Sequence, residues 1–103
     1  MSKSSKDFDI LLNSTEKPIF VLFSATWCTP CNAIKPIFRK ESEDNTTAVF
    51  VVVDIDLCQD ITIIYKITKI PLIKVFVNNK LVDEASSVDQ FKKLLVKYNY
   101  PKV

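Results

Sequence analysis

Residues 24–36 read SATWCTPCNAIKP, with Cys28 and Cys31 three apart, Trp27 before them and Thr29-Pro30 between them. Upstream lies IFVLF at 19–23, a continuous apolar run that suits a strand buried on both faces. Downstream, Ile34, Ile37 and Phe38 alternate with Lys35, Arg39 and Lys40 at helical spacing to about Glu43. The cysteines therefore sit where a strand hands over to a helix. Pro36 falls inside that helix, where it removes one backbone bond and should kink it.

Three chemistries use such a pair. Structural zinc needs four ligands, and only Cys58 remains as a further cysteine in a chain without histidine. Residue 32 is Asn, which also excludes the covalent haem motif. A purely structural disulfide across two residues closes almost no loop and contributes little stability. A working dithiol accounts for the placement. The positive end of the helix dipole and its free N–H groups favour a thiolate at Cys28, whose sulfur is expected to be exposed. Pro30 is tolerated in the first turn, where no helical N–H bond is lost. Cys31, one turn deeper, is set to attack a mixed disulfide formed at Cys28.

The rest of the chain narrows the class. With 103 residues, 48% hydrophobic and 25% charged, it holds enough apolar material for one core, and residues 1–103 read as a single domain. A formal charge of +2 without a Lys/Arg cluster offers no surface for nucleic acid or anionic lipid. The longest clearly apolar run, AVFVVV at 48–53, is far short of the roughly 20 residues of a membrane helix, and MSKSSK at 1–6 has no signal-peptide character. A cytoplasmic protein is expected. The absence of glycine excludes phosphate-cradling loops and hands positions of positive φ to Asn or Asp.

Elements follow in the order αβαβαββα. Ser5 followed by KDFDILL (6–12) reads as a capped short helix, and AVFVVVD at 48–54 gives a second buried strand. Asp60–Tyr65 fits a short helix with Asp60 as its cap. LIKVFV at 72–77 and KLVDEA at 80–85 flank Asn78-Asn79, a glycine-free hairpin turn. Ser87 and Gln90 match a capping box opening a final helix through Tyr98, with Phe91, Leu94 and Leu95 on one face. This order implies an α/β fold, a central mixed sheet covered by helices on both sides.

The chain resembles the thioredoxin family of the eukaryotic cytosolic type from about Pro18 to Tyr98. The resemblance is carried by Phe23-Ser24-Ala25-Thr26-Trp27-Cys28, Cys31 and Ile34-Lys35-Pro36, by Val53-Asp54-Ile55-Asp56 with Cys58-Gln59-Asp60, and by Ile70-Pro71. It implies a thioredoxin fold and a protein disulfide reductase with Cys28 as nucleophile and Cys31 as resolving thiol, needing no cofactor or metal. Pro71 would be a cis proline facing the pair, and Trp27, Thr29, Pro30, Ile70 and Pro71 would contact substrate. Implied partners are protein disulfides and an upstream reductant such as a thioredoxin reductase. A monomer is expected.

The departures are as informative. Leu22 stands where the family usually has a buried Asp that assists proton transfer, and Val52 where it has a buried lysine. Thr29 replaces the usual Gly between the cysteines. MSKSSK lacks the apolar residues of the family's first strand, so four strands are expected, with a fifth only if that segment forms one. Ala85-Ser86-Ser87 is shorter than the family's loop beside the substrate groove. Cys58 reads equally as a small filler near a helix start or as a regulatory oxidation site. Two functions compete: a reductase slowed at its second step by Leu22, and an interaction module that keeps the groove with little turnover.

Overall fold

The computed structural model describes residues 5–98. The apolar run near the cysteines forms β1 (Ile19–Ser24), every residue of which is buried. Period-2 alternation splits its side chains between two layers. Phe20 and Leu22 face a core shared with Ile34, Phe38, Phe91 and Leu95. Ile19, Val21 and Phe23 face a second core with Phe8, Leu12, Ile61 and Phe76. Both faces of β1 are thus covered, as a continuous hydrophobic run requires.

Around it the elements are α1 (Ser5–Leu12), α2 (Thr29–Asp44), β2 (Val49–Asp54), α3 (Gln59–Ile64), β3 (Leu72–Val77), β4 (Lys80–Ala85) and α4 (Val88–Tyr98). The strand order is β2-β1-β3-β4, with β1 parallel to β2 and antiparallel to β3, and β4 antiparallel to β3. Helices α2 and α4 cover one face of this mixed four-stranded sheet, α1 and α3 the other. Any strand within residues 1–4 lies outside the described residues.

Local chemistry explains most boundaries. Asn45 stops α2 by donating its backbone N–H and side-chain amide to the Glu41 carbonyl. Helix α2 runs through Pro36 as one element. Asn78 and Asn79 both take positive φ, 52° and 64°, in the two-residue turn joining β3 to β4. Ser87 Oγ accepts the Gln90 N–H as expected, but Gln90 Oε1 accepts from Ser86 rather than Ser87, so the reciprocal half of the box is displaced by one residue.

Three expectations are corrected. Helix α3 is capped at Cys58, not Asp60, whose carboxylate instead accepts the adjacent Ile61 N–H. Lys66 also takes positive φ, 55°, although such positions were assigned to Asn or Asp. It ends α3 in a Schellman motif: Ile67 N–H donates to the Thr62 carbonyl and Lys66 N–H to that of Ile63. Closing these orphan carbonyls outweighs the left-handed penalty in a chain without glycine. Finally, β2 is only partly buried: among the described residues it stands at the margin of the sheet, and although it packs on both cores, Val52 is 40% exposed. Position 52 is therefore not a buried site.

Candidate active site

The site forms where β1 ends. Cys28 follows that strand in extended conformation and serves as N-cap of α2, its Sγ accepting the Cys31 N–H at 3.3 Å. The α-carbons of Cys28 and Cys31 are 5.2 Å apart and the two sulfurs are joined in a disulfide. Ala25, Ile55 and Ile70 pack against the pair. This packing encloses Cys28 more than the sequence reading expected: 6% of it is accessible, against none of Cys31. What accessibility the pair retains therefore belongs to Cys28.

Ile70–Pro71 is a cis peptide, and Ile70 reaches the cysteine cluster. Trp27, next to Cys28 in the chain, is 66% exposed. Its indole N–H donates to Asp56 at 2.8 Å, which ties the ring to the turn after β2. That turn is itself braced by Asp54, whose carboxylate accepts the Asp56 and Leu57 N–H groups. A depression of about 320 Å³ lies between Trp27, Ile55, Ile67, Thr68, Lys69 and Ile70. Thr29 and Pro30 are exposed on the first turn of α2. Ile70 thus joins the two cysteines to the depression that Trp27 borders, while Thr29 and Pro30 adjoin the pair in the chain and Pro71 follows Ile70.

Cys58 is not brought to this site. It is 2% exposed and packs in the core between α1, α3 and the sheet. Such burial suits a filler, since an oxidant would reach the sulfur only after α3 opened. Leu22 is fully buried, on the same layer as Ile34, one turn beyond Cys31 on α2. Among the described residues no group of acids and cysteines is arranged to hold a metal.

Sequence reasoning missed three participants. Asp56 stood within a quoted motif, but its bond to Trp27 joins residues 29 apart and has no local signature. Ile55 stood in the same motif, with nothing local to show that it packs against the cysteines. Ser24, quoted in the motif but placed outside the predicted strand, is the last residue of β1, and its buried Oγ has no hydrogen-bond partner among the described residues.

The fold and this constellation agree with what comparison with known proteins finds. The thioredoxin family model matches residues 1–98. The chain belongs to the thioredoxin family. Thioredoxin of Equus caballus is 41% identical over 91 residues, 87% of each chain. Human thioredoxin is 38% identical over 77 residues, 75% of this chain and 73% of that one. A solved structure of Plasmodium falciparum thioredoxin superposes with a TM-score of 0.86 at 34% identity, covering 92% of this chain and 94% of the other. As a member of this family with its cysteine pair intact, the chain is a thiol–disulfide oxidoreductase of the protein disulfide reductase class. A binding module without turnover is not favoured.

Proposed function

We propose that Cys28 is the entering nucleophile, Cys31 the resolving thiol, and Trp27, Thr29, Pro30, Ile70 and Pro71 the substrate contacts. The observation that carries this reading is the placement of the two cysteines at the start of α2, Cys28 as its N-cap and slightly accessible, Cys31 one turn in and fully buried. In the reduced protein the Cys28 thiolate attacks one sulfur of a substrate disulfide, forming a mixed disulfide and expelling the other substrate sulfur as thiolate. The Cys31 thiolate then attacks Cys28 Sγ, which breaks the mixed bond, releases the second substrate thiolate and leaves the Cys28–Cys31 disulfide. Two electrons have passed to the substrate, and an upstream dithiol reductant returns the pair to its reduced state.

The helix start supplies the driving asymmetry. The Cys31 N–H already points at Cys28 Sγ and would solvate its thiolate, while the deeper Cys31 has no access to water. Leu22 places hydrocarbon where a general base would assist Cys31, so the resolving step should be the slow one. Residues 1–103 would act as one domain in the cytoplasm, where a thioredoxin reductase or similar enzyme can supply electrons; among the described residues no helix is long and apolar enough to cross a membrane.

Trapping tests the assignment. Cys31→Ser should accumulate mixed disulfides with several proteins through Cys28, whereas Cys28→Ser should accumulate none. Trapping by Cys28→Ser alone would reverse the roles, equal trapping by both would remove the distinction between them, and absence of trapping by either would remove the reductase reading.

A further inference from the structure

The two edges of the sheet are built differently. Strand β4 carries Lys80, Asp83 and Glu84, and its register to β3 shifts between Val75 and Phe76. Charge and bulge together discourage pairing with a foreign strand. Strand β2 has no such bulge, and its one charge, Asp54, stands at its last position. Val49–Val53 is uncharged, keeps unbroken register with β1, and leaves Val52 exposed. High β-propensity, low charge and regularity make it a template for another strand.

The parallel ladder decides which of its groups are available. Val49 N–H donates to the Pro18 carbonyl and Ile55 N–H to that of Ser24, so odd-numbered residues of β2 turn their backbone groups toward β1. Those of Phe50 and Val52 then face outward, and among the described residues no strand lies along that side.

We propose that β2 pairs antiparallel with β2 of a second copy of this chain, about a twofold axis at Val51. Antiparallel geometry sets Phe50 of one copy opposite Val52 of the other, exchanging four N–H···O bonds in all, while Val51 meets itself. The exposed Val52 side chain gains Phe50 of the second copy as its cross-strand neighbour. Charge selects the same arrangement. Lys17 Nζ donates to the Thr46 carbonyl at 2.8 Å, holding a cation at the start of β2, and Asp54 and Asp56 follow at its end. Antiparallel pairing brings each Lys17 to the acidic turn of the other copy, whereas parallel pairing would set like charges together. One strand pair is a small interface, so the dimer is weak and fills only at high concentration. The monomer expected from the sequence is its dilute form.

Sedimentation of the reduced protein from micromolar to millimolar concentration, with amide exchange at each end of the series, tests this. The wild type should move from 11.8 kDa toward twice that mass. Exchange at Phe50 and Val52 should slow several-fold with concentration, while Val51 and Val53, bonded to β1, should not change. Val52→Pro removes an outward donor without touching the β1 ladder and should stay monomeric with an unaltered circular dichroism spectrum. Val52→Lys serves if the proline variant fails to fold, and Lys17→Glu should weaken association. A wild type that is monomeric throughout overturns the proposal. So does association that survives both Val52 variants, or that is abolished by Val82→Asp on β4 instead. Dimerisation only after removal of residues 2–4 would also overturn it, because the edge would then be covered by the chain's own start.

Discussion

Replacing Leu22 with Asp should speed a protein that it weakens. Leu22 is completely buried among Phe20, Ile34, Ile73 and Val75. Removing its packing costs about 2–5 kcal/mol. Placing a carboxyl group there without a designed partner costs roughly another 1–3 kcal/mol. Against an ordinary domain stability of about 5–15 kcal/mol, the variant should fold but melt earlier. Burial disfavours the ionised carboxylate and raises the new group's pKa above its unfolded value. Its stability is then greatest in acid and falls as pH rises through the folded pKa, the sign for any group whose pKa is raised on folding. The same ionisation supplies a base beside the resolving cysteine. Insulin reduction by Leu22→Asp should therefore exceed wild type by up to about 10²-fold, the upper range for one general base being higher still. Leu22→Asn is the control, with a similar loss of packing and no base. If Asp gives no gain over Asn at neutral and mildly alkaline pH, the slow resolving step is refuted.

Two further tests concern charges outside the site. Lys74 on β3 is 7% exposed and pairs with its cross-strand neighbour Glu84, which is half exposed. Glu84→Ala strands a buried ammonium and should cost about 1–3 kcal/mol in urea denaturation. Lys74→Met leaves only a solvated carboxylate and should be neutral or stabilising; equal losses would contradict this asymmetry. Asp83 accepts hydrogen bonds from Lys97 at 3.0 Å and Tyr98 at 2.9 Å, and these hold its carboxyl below the usual range. Its contribution is present above the unfolded Asp pKa and lost as pH falls through the folded one. Asp83→Asn should thus lower the melting temperature slightly at neutral pH and not in acid; a difference that persists below the folded pKa would exclude ionisation as its source.

The features readable in the sequence were those governed by local chemistry. LIKVFV, Asn78-Asn79 and KLVDEA specify a hairpin, because two runs of strand length flank a two-residue turn that tolerates positive φ, all within 14 residues. The cysteine pair was legible for a similar reason: strand, N-cap and first helical turn are contiguous. What escaped depended on distant partners. Whether AVFVVVD is central or at an edge is decided by which strands join the sheet, not by its own composition. Lys66 adopts left-handed backbone because two carbonyls of α3 need closing, against its own preference. The enclosure of Cys28 comes from Ile55 and Ile70, which approach from separate segments. Pro71 lay between these cases, since a proline opening a strand is equally allowed in trans, and only the family resemblance pointed to cis.

Everything turns on unequal ionisation of two sulfurs five ångströms of backbone apart (5.2 Å between α-carbons). Alkylation rates of the reduced protein across pH, resolved by peptide mass for each cysteine, measure this directly. Cys28 should titrate well below the ordinary thiol value of about 8.5 and react first, with Cys31 titrating above it. A Cys28 that titrates at or above that ordinary value, or that reacts after Cys31, would contradict the assignment of nucleophile and resolving thiol.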